Sequence, residues 1–323
     1  MVLRKKTFLF SLFPVLCSLL ILSCATLSGV EEPAESLEAV SPQWTPQAPG
    51  LTFGLDYYAG KVSRPHIEFY ALRVDLSASN LRIAVSPGGG YKGGFFSVMV
   101  SSFVRDNDLL AGINALPFDP VTRWEGEPTT NIGLVISEGV MLSHPHKNFD
   151  ALVFYKDGHA EITAQSEIKN FDNIENAVGG FYRILKNGEL APRLLGLNDS
   201  ADAKQQRHPR SAAGISADGK FLYLIVIDGR QIRSVGCTEA ETALLLKALG
   251  ASEGINFDGG GSSAMAIRYP DGVVRVVNTP IHGNIPGRER AVAGCLGIGS
   301  REQGSGSRGQ GTESRGQRVG VRE

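Results

Sequence analysis

Cysteine is too scarce in this chain to staple a fold: four residues in 323, two of them near the amino terminus at Cys17 and Cys24. That excludes a disulfide framework and a cysteine-rich zinc scaffold. The sequence also lacks a Gly-x-Ser-x-Gly elbow and a P-loop, so the serine-nucleophile and nucleotide-binding readings tied to those motifs fall away. It has no Asp-rich ligand string, and the lone H-x-H of His144 and His146 has no acidic or Cys partner nearby, which reads as a loop. Charge of either sign is not in large excess; the formal net charge is −1. The ends are basic, with Arg4, Lys5 and Lys6 at one and five Arg against three Glu after Ser300 at the other, so the body between them is acidic. An acidic body is a poor match for nucleic acid.

What is present begins with a leader. Residues 1–24 hold three basic residues, an apolar stretch over 7–22 interrupted by Pro14, and then Leu20-Ile21-Leu22-Ser23-Cys24. The stretch is shorter than the roughly 20 residues of a spanning helix, and the pattern is that of a signal peptide. The small residue before Cys24 resembles the lipobox of bacterial lipoproteins, which makes Cys24 the lipidated first residue of the mature chain. An uncleaved anchor and an ordinary secretory leader cut later are the alternatives. The expected location is outside the cytoplasm, on the membrane of a bacterial cell envelope through that lipid. Cys237 and Cys295 then remain, either paired or as buried free thiols.

Residues 25–49 are rich in Glu, Pro, Ser and Ala without apolar periodicity and read as a flexible tether. Residues 300–323 are Gly, Ser, Arg and Gln with SRGQ at Ser307 and Ser314, a composition that cannot bury a core and predicts disorder. Between them, residues 50–299 form one body. Short apolar runs at 67–74, 81–85, 132–136, 151–155, 181–185, 211–216 and 221–227 predict strands. Asp157-Gly158, Asn187-Gly188, Asp218-Gly219 and Asp271-Gly272 predict hairpin turns between some of them. Residues 96–107 and 238–250 predict helices, the second marked by Thr238 as N-cap, Glu241 three residues on and Gly250 as a stop. Interleaved strands and helices predict an α+β fold with a mixed, largely antiparallel sheet.

The chemistry concentrates in three segments. Asn256-Phe257-Asp258-Gly259-Gly260-Gly261-Ser262-Ser263 places a carboxylate at a strand end beside backbone N–H groups that no side chain shields, a nest suited to an anion. By itself the glycine run is more often a turn between two strands. Residues 221–227 end in Asp228-Gly229-Arg230, a second carboxylate with a guanidinium, and His208-Pro209-Arg210 supplies another. Singly, these are turn caps and surface ion pairs. Together they offer two carboxylates, two bidentate cations and a nest, expected to line one shared cavity. The aspartates can alternatively chelate a divalent cation.

The ordered runs HPRSAAG, FLYLIVIDGRQIRSVGCT, ETALLLKALGASEGINFDGGGSSAM and GRERAVAGCLGI resemble the phosphodiester glycosidase family, most strongly over 207–298. A weaker likeness extends upstream through AGINALPF and GGFYRILKNGEL, with a departure from small residues at Leu116 and Pro117. The resemblance implies an exported hydrolase that cleaves a sugar-1-phosphodiester in a surface polysaccharide or glycoconjugate, with no cofactor, although a divalent cation stays open. It assigns catalysis to Asp228, Asp258 and Arg210, and substrate binding to Asn114, Arg230, Gly259, Gly260, Gly261, Ser262, Ser263 and Arg290. Arg210, Arg230 and the glycine nest would cover the phosphodiester charge; the two aspartates would serve the anomeric carbon and the proton, in an order left open. Glu241 is explained by its capping box. The competing function is a non-catalytic polysaccharide-binding envelope lipoprotein on the same fold, disfavoured because a neutral glycan needs no such charge concentration.

Overall fold

The computed structural model describes residues 45–46, 54–86, 94–195 and 206–301. The leader with Cys24, nearly all of the 25–49 segment and the tail beyond residue 301 lie outside the described residues. Four sheets make up the body. The largest has eight strands in the order Thr45–Pro46, Leu55–Val62, Ile67–Asp75, Phe221–Ile227, Arg210–Ile215, Glu253–Asn256, Tyr182–Lys186 and Glu189–Leu190. A five-stranded sheet runs Val274–Val276, Met265–Arg268, Ala111–Asn114, Cys295–Ser300, Leu81–Val85. The second five-stranded sheet spans Val135–Ser137 to Ile174–Gly179, and a three-stranded one is centred on Pro128–Asn131.

Every pairing between these strands is antiparallel. Only two α-helices occur among the described residues, α1 at Val100–Asp106 and α2 at Glu239–Leu249. The expected α+β class with a mixed sheet is therefore corrected to a β-rich architecture. Part of the reason is visible in the strands: four, Thr45–Pro46, Phe95–Phe96, Phe118–Asp119 and Glu189–Leu190, are two residues long and too short to carry a period-2 signal. The Asx-Gly turns do behave as expected. Asn187 and Gly188 have φ of 52° and 75°, the paired positive angles of a two-residue hairpin between Tyr182–Lys186 and Glu189–Leu190.

Both faces of the eight-stranded sheet are covered, which is why residues 221–227 are apolar without alternation. Leu222, Leu224 and Val226 join the core shared with the Ala111–Asn114 sheet and α1. Tyr223, Ile225 and Ile227 face the other way, onto Leu245, Leu246 and Leu249 of α2. Cys295 belongs to the first cluster and Cys237 to the second, and both are buried free thiols. No helix among the described residues is long and apolar enough to cross a membrane.

Helix α2 starts where its sequence requires. The Thr238 side chain accepts from the Glu241 N–H at 3.1 Å while Glu241 Oε2 accepts from the Thr238 N–H at 2.9 Å, and Gly250 closes the helix at φ 116°. Helix α1 is shorter than expected because Phe95–Phe96 is strand and Met99 is extended; its first turn is held by Glu289, which accepts from the Ser101 N–H at 3.0 Å. Replacing Thr238 by Ala should lower unfolding free energy by about 1 kcal/mol, read as a reduced urea midpoint at unchanged slope.

Candidate active site

The Glu253–Asn256 strand runs into the core and delivers Asp258 to its end. Phe257 is fully buried and donates its N–H to Ser211 O at 2.8 Å; Asp258 donates its own to Ala115 O at 2.8 Å. Asn114 closes the joint from below. Its Nδ2 donates to Asp258 O at 2.6 Å, and its Oδ1 accepts from Ser211 Oγ at 2.7 Å and from the Ala264 N–H at 3.1 Å. With 1 % exposure and its carboxamide engaged at both ends, Asn114 is a structural tie behind the loop, not the sugar contact expected from its motif.

The glycines that follow are set by crowding. Gly260 sits at φ +61°, and a Cβ on Gly261 would lie 2.5 Å from Arg290 Nη2. Side chains at either position would collide or strain. The expected open nest is not what the backbone makes. The Gly260 N–H donates to Pro209 O at 2.8 Å, and the Gly259 N–H supports the Asp258 carboxylate. Anion reception consequently falls to side chains. Arg290 Nη1 donates to Ser262 Oγ at 3.1 Å and Nε to His282 Nδ1 at 2.9 Å. Ser262 in turn hydrogen-bonds Asp258, so a guanidinium, a hydroxyl and a carboxylate form one chain. Arg230 lies against Gly260, its Nη2 3.3 Å from His208 Nδ1, and it holds the left-handed φ of 58° that a non-glycine residue adopts at a cost. Arg230 is exposed and Asp258 partly accessible, so the cluster opens to solvent.

Burial dominates the Asp258 carboxyl and pushes its pKa up to about 6, against the opposing pull of Ser262, Arg290 and the Gly259 N–H. Asp228 is also raised to about 6 by burial, but its setting differs. It is 1 % exposed, accepts from the Thr279 N–H at 2.9 Å and from Asn278 Nδ2 at 3.1 Å, and feels Arg233 and Glu68. Asn278 Nδ2 also donates to Ser263 O at 3.1 Å. Asp228 therefore braces the 278–279 turn against the Asp258 loop, one layer behind it. Ser263 Oγ is buried without a protein partner.

Arg210 is the clearest departure from expectation. In the antiparallel register it lies opposite Ile227, on the α2 face of the sheet, whereas Asp228 follows the alternation of Val226 on the other face. Its Nε donates to Cys237 O at 2.9 Å and its Nη2 to Gln206 O at 3.0 Å, with Glu239 at 3.8 Å from Nη1. These bonds tie the chain together and hold the guanidinium on the α2 face, within the field of Arg230. The shared cavity expected for Asp228, Asp258, Arg210 and Arg230 is thus narrowed to Asp258, Ser262, Arg230 and Arg290 around the glycines. Sequence reasoning missed His282, Asn278 and Thr279, which sit in a segment with no periodicity to mark them. Leu116, the bulky departure in the upstream motif, is 1 % exposed and turns inward over Gly294, away from the opening. Among the described residues no three His, Cys, Asp or Glu side chains converge as metal ligands.

In this β-rich scaffold a carboxylate is linked through Ser262 to Arg290, and Arg230 lies against the same glycine loop, an arrangement suited to an anion. Comparison with known proteins makes this specific. The phosphodiester glycosidase family profile matches residues 107–299, and the chain belongs to that family of hydrolases. The uncharacterized SPbeta prophage-derived protein YomE of Bacillus subtilis (strain 168) is 28 % identical over 245 residues, covering 70 % of this chain and 36 % of YomE. The chain thus spans about a third of that relative. Among solved structures, the catalytic domain of zebrafish N-acetylglucosamine-1-phosphodiester alpha-N-acetylglucosaminidase, auto-inhibited by its pro-peptide, superposes with a TM-score of 0.57 at 18 % identity, over 80 % of this chain and 88 % of that one. A putative exported protein of Burkholderia pseudomallei K96243 gives 0.51 at 17 % identity, over 72 % and 74 %. At these identities the likeness is one of fold.

Two carboxyls that hold protons more tightly folded (about 6) than unfolded have a stability signature. Between about pH 4 and pH 6 the native state binds more protons than the unfolded chain, so these groups cost stability as pH rises through that window. Wild type should therefore lose stability relative to Asp228→Asn from pH 4 to pH 6, read from paired urea midpoints; a difference independent of pH would contradict the assignment.

Proposed function

We propose that the protein hydrolyses a bond between the anomeric carbon of a sugar and a phosphodiester, releasing free sugar and a phosphomonoester. The observation that carries this is the Asp258–Ser262–Arg290 chain, with Arg230 lying against Gly260 and within the field of Arg290. A phosphodiester repels nucleophiles through its negative charge, and two guanidinium groups neutralise that charge with directed donors. The C1–O bond breaks with its electron pair going to the phosphate oxygen, which leaves as a stabilised anion and needs little proton assistance. Positive charge then builds at the sugar ring, where Asp258 can stabilise it and take the proton of the attacking water. A carboxyl at about 6 is largely ionised at neutral pH, the state this role requires.

Asp228 takes the positioning role, because it is sealed and hydrogen-bonded on the inner side, and Arg210 and Asn114 are structural. The sugar-1-phosphodiester class is supported by the family and by the activity named for the zebrafish enzyme. A surface polysaccharide or glycoconjugate as the carrier, export, and lipid attachment at Cys24 belong to the same proposal. They are supported by the basic and apolar leader and the Ser23-Cys24 junction.

Purified protein should release free sugar and a phosphomonoester from a synthetic sugar-1-phosphodiester, and free sugar and the nucleoside diphosphate from a nucleoside diphosphate sugar, followed by phosphorus NMR. Asp258→Asn should lower kcat by about 10²- to 10⁴-fold, and Arg290→Ala should lower kcat/KM by about ten- to a hundredfold. Saturable glycan binding without turnover on a broad substrate panel would instead identify a binding protein.

A further inference from the structure

Each guanidinium at the opening rests on an imidazole nitrogen. Arg290 Nε donates to His282 Nδ1 at 2.9 Å, and Arg230 Nη2 lies 3.3 Å from His208 Nδ1. An arginine has donors and no acceptor, so the ring nitrogen in such a contact must be unprotonated and the ring neutral, with its proton on Nε2. We propose that His208 and His282 are positioning residues that aim Arg230 and Arg290 at the phosphodiester, each by accepting a guanidinium hydrogen bond on Nδ1. The inference rests on the hydrolase reading above and extends it to two residues that do not touch the reacting atoms.

The need for such braces follows from the charges. Arg230 and Arg290 feel each other's field, and two long cationic side chains left alone would splay into solvent before substrate arrives. Arg290 spends Nε on His282 and Nη1 on Ser262, which leaves Nη2 over Gly261. Arg230 is steered by His208 against Gly260. Fixing both before binding removes an ordering cost from the binding step. The surroundings keep the rings in the required form. Burial first, and then the neighbouring cations, Arg210 and Arg230 at His208 and Arg290 and Arg288 at His282, hold both rings below the ordinary histidine range. The carboxylates nearby are spoken for: Glu241 pairs with Arg207, Glu239 with Arg193 and Arg210, and Asp258 bonds Ser262 and attracts Arg290. Protonation of either ring would turn Nδ1 into a donor and push the guanidinium off.

The test combines nitrogen NMR of the imidazoles with binding of dimethyl phosphate, a diester whose charge is constant across the relevant pH range. His282→Leu and His208→Leu remove the acceptor; His282→Asn and His208→Asn place an amide oxygen near Nδ1 that does not titrate. The expected result is an unprotonated Nδ1 on both rings at neutral pH. Dimethyl phosphate affinity and kcat/KM should fall about tenfold or more in the leucine variants and be largely restored in the asparagine variants. Acidification also protonates the Asp258 carboxyl in every variant, so the ring's part is read as a difference: as pH falls, diester affinity in wild type should fall relative to the matching asparagine variant. An Nδ1 proton at neutral pH, or leucine variants that bind the diester as wild type does, would overturn the proposal. Failure of the hydrolase reading would look different: histidine-dependent diester binding with no sugar released from any sugar-1-phosphodiester.

Discussion

The arrangement at the opening depends on one carboxamide. Asn114 ends a strand of the five-stranded sheet, Ser211 belongs to the eight-stranded sheet, and Asp258 begins the glycine loop; the Asn114 side chain bonds all three segments. With the Asp258 N–H fixed on Ala115 O, the carboxylate has little freedom in where it points. Buried amides of this kind hold a geometry because leaving any one of their partners unpaired is costly. The site is therefore built at the seam of two sheets and inherits its rigidity from both.

That seam also sorts the charged groups. The sheet containing residues 221–227 is impermeable to side chains, so alternation alone decides that Asp228 and Arg210, near neighbours through the strand pairing, serve opposite faces. The Arg210 face is a structural one, where guanidinium groups meet carbonyls and the carboxylates of α2. On the Asp258 face guanidinium groups meet neutral acceptors, namely a serine hydroxyl and two imidazoles. Two guanidinium groups set against the one Asp258 carboxylate leave a net positive charge in place to attract an anion.

Much of this was legible in the residues. The four Asx-Gly turns, the capping box of α2 and the strand ending in Asp258 each carry a local signal strong enough to survive tertiary packing. The fold class was not, because two-residue strands such as Phe118–Asp119 obtain their definition from partners distant in sequence. The motif set pointed to the Asp258 loop and grouped with it Arg210, whose hydrogen bonds run to Cys237 O and Gln206 O. Whether Arg210 reaches the opening depends on which side of a strand it leaves, and residues 221–227, apolar on both faces, give no alternation from which to tell. His282 and Asn278 were invisible for a related reason, since their contacts are made by a segment with no pattern of its own.

The segment from Gly283 to Arg288 is exposed along its whole length, yet it is flanked by His282 on one side and Arg290 on the other. Its sequence can drift, lengthen or shorten at little expense to the core while the two anchoring side chains stay put. Descendants of this scaffold thus have a place to reshape the rim of the opening without rebuilding the charge pattern beneath.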